Sequence, residues 1–150
     1  MADAAREGAE YAATELQARD QIDIIQKPAR DTGPDDLLAA DGYVFCAPEN
    51  LAALSGAMKE FFDRNYYPVL DRLNGRPYVL LISAGSDGSM AAKQAGRICT
   101  GWRLNEAAPA LIVNTSAQTP EEILAPKTLT EQNRQDSFEK GGTVAALLLL

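Results

Sequence analysis

The sequence predicts an α/β domain in which a parallel sheet lies between two layers of helices. Two apolar runs of strand length, Tyr43–Cys46 and Tyr78–Ser83, contain no charged residue, which is typical of strands buried on both faces. Segments with helical periodicity alternate with these runs, and that alternation favours parallel strands joined by helices. With 150 residues, of which 46% are hydrophobic, the chain is long enough for one core and too short for two. We therefore expect a single domain over residues 1–150.

The first third of the chain is expected to form two helices and two strands. Alanines recur at helical spacing over Ala2–Ala18, which predicts a helix packed closely on a sheet. Gln21–Ile25 is a short run rich in isoleucine and is interpreted as the first strand. Pro34 suits the first turn of a short helix over Asp35–Ala40, and Tyr43–Cys46 follows as the second strand.

The middle of the chain repeats this alternation. Ser55 has the side chain of a helix N-cap and precedes a helix predicted over Gly56–Tyr66. Tyr78–Ser83 is the strongest strand of the chain and runs into a glycine-rich loop. Ser89 is the expected N-cap of the next helix, over Met90–Thr100.

The last third is expected to add one strand and two helical regions. Ala110–Val113 predicts a fourth strand, introduced by a proline. Thr119–Glu122 has the pattern that opens a helix. Thr130–Leu150 is expected to contain the closing helix, interrupted or weakened at Gly141-Gly142.

The charge pattern excludes several classes of partner. The chain has 14 Lys and Arg residues against 21 Asp and Glu residues, for a net charge of -7. A nucleic-acid partner requires clustered cations, and an anionic membrane surface requires a basic run. The N-terminus lacks a secretory signal, and the longest apolar run, Val144–Leu150, is too short to span a bilayer. We therefore expect a cytoplasmic protein that binds neither nucleic acid nor membrane.

The chain contains no histidine. This excludes catalytic triads of the Ser-His type and most zinc sites, and we expect no metal site. Cys46 and Cys99 both lie in apolar surroundings, which indicates reduced core thiols, with a disulfide as the alternative.

The first candidate ligand-binding segment is the loop Ala47–Gly56, which follows the second strand. The Asn50 amide can both donate and accept hydrogen bonds, which suits the edge of a planar heterocycle. Leu51 and Leu54 can cover a ring face, and Gly56 allows close approach of the backbone. The alternative is an ordinary polar connection between a strand and a helix.

The second candidate segment is the glycine-rich loop Ala84–Ser89. Two glycines at the end of a strand permit exposed amides that can bind a polar ring edge or an anion. It is not a P-loop, because the lysine after the second glycine is missing. A flexible turn is the alternative, but both loops should emerge at the same edge of the sheet, where α/β proteins bind their ligands.

The segment ADGYVFCAPENLAALSGAMKEFFDR resembles the middle of the flavodoxin-like NAD(P)H-dependent FMN reductases. In that family a strand, a P-E-N loop and a helix opening with S-G-x-x-K-x-F-x-D-R follow one another. The segment LNGRPYVLLISAGSDG is similar to the family's next strand and second flavin loop. The resemblance implies that one set of residues contacts the isoalloxazine and ribityl parts of FMN: Pro48, Glu49, Asn50, Leu54, Ser55 and Gly56. It implies that a second set borders the other side of the ring: Ala84, Gly85, Ser86, Asp87 and Gly88.

The chain departs from the family pattern in two places. Relatives often have an aromatic residue and a glycine after the asparagine, whereas this loop continues with Leu51 and Ala52. The family's first strand and its phosphate loop are also absent, and Ala2–Ala18 corresponds to the helix that follows them. The resemblance implies a flavodoxin-like three-layer sandwich of strand order 2-1-3-4-5 without strand 1. We therefore expect a domain shortened at its N-terminus, and also at its C-terminus because the sequence ends on four leucines.

The resemblance implies an FMN flavoprotein that takes hydride from NADPH or NADH and passes electrons to a small-molecule or protein acceptor. The flavin supplies this chemistry, so no catalytic side chain is expected. One alternative is a one-electron carrier of the flavodoxin type, and another is a chain that no longer binds flavin. A phospho-receiver domain is rejected because Phe45–Pro48 lacks the aspartate it needs. Such folds often dimerise near the flavin, which makes Tyr66-Tyr67 a candidate interface for a homodimer.

Overall fold

The computed structural model describes residues 1–150 and shows a mostly parallel sheet between two layers of helices. The strands are β1 (Tyr43–Asn50), β2 (Ala53–Leu54), β3 (Pro77–Ala84), β4 (Asn105–Glu106) and β5 (Leu111–Asn114). The helices are α1 (Ala2–Glu15), α2 (Pro34–Ala39), α3 (Gly56–Asn65), α4 (Ser89–Gly101), α5 (Pro120–Leu124) and α6 (Glu131–Leu149). The predicted layered α/β architecture is therefore confirmed. None of the helices combines the length and the apolarity that crossing a membrane requires.

The sheet is built around β3, the strand without charged residues. β1 pairs with β3 in parallel, from Tyr43 opposite Tyr78 to Pro48 opposite Ser83. The short strands β4 and β5 pair in parallel with the other edge of β3. Five consecutive residues of β3 are buried, from Tyr78 to Ile82, because helices cover both faces of the sheet.

The larger part of the core lies on the face covered by α2, α3 and α4. Phe45 of β1 lies with its ring centroid 5.4 Å from that of Phe62 and 6.4 Å from that of Trp102. Trp102 is fully buried, and its indole Nε1 donates to the carbonyl oxygen of Tyr66 at 3.1 Å. This residue therefore closes the core behind the end of α4.

The opposite face is covered by α1 and α6, which pack directly on each other. A Cβ atom at Gly141 of α6 would lie 1.8 Å from the carbonyl oxygen of Ala5, and one at Gly8 of α1 would lie 1.9 Å from that of Phe138. The prediction that Gly141-Gly142 weakens the closing helix is wrong, since α6 runs without a break. Gly8 and Gly141 let α1 and α6 approach each other closely.

The predicted strand over Gln21–Ile25 is also wrong. Arg19–Gln21 forms a 3-10 turn, and the following residues are assigned to no strand, with Ile25 77% exposed. A strand is stable only when a neighbouring strand satisfies its backbone groups, and no strand pairs with this segment. β1, β3 and β5 therefore correspond to the predicted strands Tyr43–Cys46, Tyr78–Ser83 and Ala110–Val113. The short strand β4 was not predicted.

Candidate functional site

The first candidate loop is mostly a strand. β1 continues to Asn50, and β2 returns beside it with Asn50 opposite Ala53 and Glu49 opposite Leu54. The expected loop over Ala47–Gly56 is therefore a hairpin, which corrects the predicted end of the strand at Cys46. Pro48 is accommodated because its only strand partner is Ser83 of β3, while the pairing with β2 begins at Glu49, and strand edges tolerate proline.

The turn of the hairpin consists of Leu51 and Ala52. Both have positive φ, 52° and 62°, as a two-residue hairpin turn with two left-handed residues requires. Leu51 is fully exposed at 103%, whereas Leu54 is buried. Of the two leucines expected to cover a ring, only Leu51 is therefore available at the surface.

Glu49 joins the hairpin to the start of α4. The amide of Gly88 donates to its Oε1 at 2.9 Å, and the amide of Ala91 donates to its Oε2 at 3.3 Å. A carboxylate in this position satisfies amides that the first turn of a helix leaves unpaired and compensates the positive end of the helix dipole. The two candidate loops therefore lie together at the carboxyl edge of the sheet.

The start of α4 differs from the prediction by one residue. The N-cap is Gly88, with φ of 89°, and Ser89 is the first helical residue. The Ser89 hydroxyl donates to Oδ2 of Asp87 at 2.6 Å, and its amide donates to Oδ1 at 3.3 Å. Asp87 therefore provides a second carboxylate at this helix end. Ser55 is the N-cap of α3 as predicted, although its side chain makes no capping hydrogen bond.

Gln94 is a residue that the sequence did not reveal. Its Oε1 accepts a hydrogen bond from the amide of Leu54 at 2.9 Å. The hairpin is thus bound to α4 twice, once by Glu49 and once by Gln94. Because 40 positions separate Gln94 from Leu54, no local pattern could have indicated this contact.

A third segment at the same edge was also missed. The amide of Thr115, directly after β5, donates to the carbonyl oxygen of Ala84 at 2.8 Å, and Asn114 pairs with Ala84. A cavity of about 260 Å³ lies beyond β5 and is lined mostly by polar residues: Val113, Asn114, Thr115, Pro126, Lys127, Thr128, Thr130 and Asn133. The Lys127 ammonium is already bonded to carbonyl oxygens at the end of α5.

The residues expected to bind flavin fall into two groups by exposure. The exposed group offers polar side chains and backbone to the solvent: Pro48, Asn50, Gly56, Gly85, Ser86 and Asp87. The other group is buried or half-buried: Glu49, Leu54, Ser55, Ala84 and Gly88. A Cβ added at Gly56 or Gly85 meets no atom within 4 Å. Both glycines therefore face open space, and the Asn50 side chain is exposed at the end of β1.

The two cysteines form no disulfide with each other; Cys99 is buried as expected, whereas Cys46 is half-buried. Burial raises the pKa of the Cys99 thiol and also that of Cys46, where the nearby amino terminus and the amide of Ala2 act in the opposite direction. Raised pKa values keep both thiols protonated and unreactive at neutral pH. No group of three or more potential metal ligands is found in the chain.

A second cavity, of about 220 Å³, lies between α3 and α4. It is lined by Lys59, Phe62, Asp63, Tyr66, Tyr67 and Ile98. Tyr67 is largely exposed, and its ring packs edge-on against Tyr66, with centroids 5.4 Å apart. A homodimer interface at Tyr66-Tyr67 stays a prediction.

Comparison with known proteins places these features in context. Residues 5–116 match the family described as NADPH-dependent FMN reductase. The structure is similar to a flavodoxin from the domain Archaea, with a TM-score of 0.70, 15% identity and coverage of 99% of this chain and 90% of that one. It is also similar to an oxidoreductase from Corynebacterium diphtheriae, with a TM-score of 0.63, 20% identity and coverage of 97% and 85%. No protein of curated function matches the sequence.

A WrbA-like flavodoxin protein from Agrobacterium tumefaciens gives a TM-score of 0.60 at 16% identity, with coverage of 95% of this chain and 88% of that one. At such identities the likeness establishes the fold. The predicted flavodoxin-like fold is therefore confirmed, with a strand order that differs in detail because the Gln21–Ile25 segment is not part of the sheet.

Proposed function

The chain belongs to the NADPH-dependent FMN reductase family, and we propose that it binds FMN at the edge formed by the β1–β2 hairpin and the start of α4. Membership of the family supports FMN as the cofactor. The further proposal is that NADPH or NADH reduces the bound flavin and that a small-molecule or protein acceptor takes up the electrons. Bound FMN supplies the hydride and electron chemistry.

The residues of the chain have binding and orienting roles in this proposal. The Asn50 amide and the backbone of Gly85–Asp87 provide polar groups for the edge of the ring. Leu51 and Pro48 provide apolar cover from the hairpin. Glu49 and Gln94 hold the β1–β2 hairpin against α4. The hairpin and the segment before α4 therefore keep a fixed distance from each other.

The observation that carries the proposal is the meeting of two separate candidate segments at one edge of the sheet. Glu49 of one segment accepts a hydrogen bond from Gly88 of the other, and Pro48 lies opposite Ser83 in the sheet. The carboxyl edge of a parallel sheet is where α/β proteins of this kind bind ligands. Members of the matched family are named for FMN.

The Asn50→Ala variant tests the proposed site. Loss of one hydrogen bond to the ring should weaken FMN binding about fivefold to tenfold, the equivalent of about 1 kcal/mol. FMN fluorescence quenching on titration with the chain measures the dissociation constant. Asn74→Ala is the matched control, because Asn74 is exposed in the turn before β3, at the opposite end of the sheet.

Equal affinities of the Asn50→Ala and Asn74→Ala variants would remove Asn50 from the site. A chain that takes up no FMN at all would contradict the proposed function itself and favour a member of the fold that has lost its flavin.

A second candidate function is one-electron transfer without a nicotinamide substrate. The similarity to an archaeal flavodoxin and the net charge of -7 favour it, since an acidic carrier docks readily on a basic redox partner. Anaerobic addition of NADPH or NADH separates the two. Rapid bleaching of the flavin absorbance supports the reductase, whereas an unchanged spectrum supports the carrier.

A further inference from the structure

Lys93 and Arg97 form an exposed pair of cations on α4, about one helical turn apart. We propose that this pair binds the 2′-phosphate of NADPH, so that NADPH is the preferred nicotinamide substrate and NADH is the poorer one. The inference rests on the proposed function, because it concerns the substrate that reduces the flavin. It adds a phosphate-binding role to the helix that forms one wall of the proposed flavin edge.

The two cations have no partner within the protein. Most of the 14 lysines and arginines make an ion pair or donate a side-chain hydrogen bond. The exceptions are Arg72, Lys93, Arg97 and Lys140. Arg72 precedes β3 and Lys140 lies on α6, whereas Lys93 and Arg97 lie four positions apart on one helix. They therefore form a pair of charges that are both available to a ligand.

No acidic residue of α4 balances the pair. The helix contains no aspartate or glutamate, although the chain as a whole has a net charge of -7. Like charges four positions apart repel each other and destabilise a helix. An anion bound between the two side chains removes this repulsion, so the charge pattern of α4 favours an anionic ligand.

The pair lies close to the hairpin that forms the other wall of the proposed flavin edge. Gln94, the residue after Lys93, accepts the amide of Leu54 in the hairpin at 2.9 Å. Arg97 is three positions further along and therefore lies on the same side of α4 as Gln94. With a rise of about 1.5 Å per residue, Arg97 is about 12 Å along the helix from Ser89. A dinucleotide with its nicotinamide at the flavin edge can extend that far along α4.

A phosphate monoester matches the pair in charge. Such a group carries about −1.5 to −2 charges at pH 7, whereas each phosphate of the bridge that NADH and NADPH share carries less. Arginine binds phosphate oxygens through two parallel N–H groups, and lysine binds them as a point charge. The 2′-phosphate is the only group by which NADPH differs from NADH, so two cations at this phosphate distinguish the two nucleotides.

The Lys93→Gln and Arg97→Gln variants test the proposal in the protein loaded with FMN. Each variant loses one charged contact to the 2′-phosphate, and we expect KM for NADPH to rise about tenfold. KM for NADH should stay within about twofold of the wild-type value. The rate of flavin bleaching under anaerobic conditions, measured against the concentration of each nucleotide, gives both values.

Arg72→Gln is the matched control for net charge. Arg72 is exposed and precedes β3, at the opposite end of the sheet, and distant exposed charges are strongly screened. Equal losses for NADPH and NADH in Arg97→Gln would overturn the proposal, as would an NADPH value that matches that of Arg72→Gln. Normal reduction by NADPH with slower reoxidation by ferricyanide would also overturn it, because the pair would then serve the acceptor.

Binding of the phosphate itself is measured in the protein without flavin. Adenosine 2′-monophosphate should bind at least about tenfold more tightly than adenosine, shift the amide resonances of Lys93 and Arg97, and bind more weakly as salt is added. Equal binding of the two compounds would overturn the inference. If the protein takes up no FMN, the proposed function fails, and this titration still decides whether α4 binds the phosphate. If FMN binds and both nucleotides reduce it equally well, only the present inference fails.

Discussion

Leu51 and Ala52 adopt positive φ although neither residue type favours that region. An L-residue with a side chain incurs a cost of about 1–2 kcal/mol in the left-handed conformation, and hairpin turns of this kind usually contain Asn-Gly. The pairing of β1 with β2 and the two contacts from Glu49 and Gln94 hold the turn in place. The strain lies directly beside the proposed flavin edge, where such backbone is often found.

The Ala52→Gly variant should therefore be more stable than the wild type. Relief of the left-handed conformation outweighs the entropy that glycine adds to the unfolded state, and we expect a gain of about 0.5–1 kcal/mol in the free energy of unfolding. Urea denaturation followed by circular dichroism measures it. Ala57→Gly, at an exposed position in the first turn of α3, is the control and should lose up to about 1 kcal/mol; a similar loss in Ala52→Gly would show that the turn is not strained.

The contact between α1 and α6 is determined by glycine positions on both helices. The nearest atoms to an added Cβ at Gly141 are the backbone atoms of Ala5, which cannot rotate away as a side chain can. The two helices thus pack backbone to backbone on one face of the sheet. Gly96 of α4 is different, since no atom lies within 4 Å of its added Cβ.

Substitution of these two glycines by alanine should have opposite effects. Gly96→Ala should gain about 1 kcal/mol, the difference in helix propensity between the two residues. Gly141→Ala gains the same propensity but forces α1 and α6 apart, and we expect a net loss of about 2 kcal/mol or more, as for other overpacked contacts. Thermal unfolding of the two variants side by side measures both signs. A stabilised Gly141→Ala protein would mean that α1 and α6 are not in backbone contact at this position.

The molecule as a whole buries several groups that ionise at alkaline pH. Burial raises the pKa of Tyr78 to about 12 from its ordinary value of 10.0, and it also raises the pKa of Tyr43, Cys46 and Cys99. In each case the folded state holds the proton more tightly than the unfolded state does. The stability that these groups contribute is complete below their ordinary pKa values and is lost as pH rises above them.

We therefore expect the free energy of unfolding to fall between pH 10 and pH 12. Two pKa units at Tyr78 correspond to about 2–3 kcal/mol. Denaturation with urea across this range measures the slope. Tyr78→Phe removes the Tyr78 contribution, so its stability should fall less steeply, and parallel curves for the two proteins would exclude Tyr78 as a cause.

Most of the elements followed from local sequence. The run Tyr78–Ser83 has no charge and β-branched or aromatic residues on both faces, so it forms a central strand wherever a sheet is available. The helices α3 and α4 follow from apolar spacing that each segment carries within itself. The capping box at Thr119 and Glu122 likewise acts over three residues. These features were predicted correctly because their energetics are local.

The sequence by itself determined the fold class, the presence of the strands that begin at Tyr43 and near Tyr78, and the meeting of two polar segments at one sheet edge. Only the tertiary structure decided which contacts those segments make. Glu49 reaches an amide 39 positions away, and such a contact depends on how whole elements pack. The Gln21–Ile25 segment failed as a strand for the same reason, because a strand needs a partner that its own residues cannot supply. Backbone pairing and helix approach are properties of neighbours in space, which a single sequence does not encode locally.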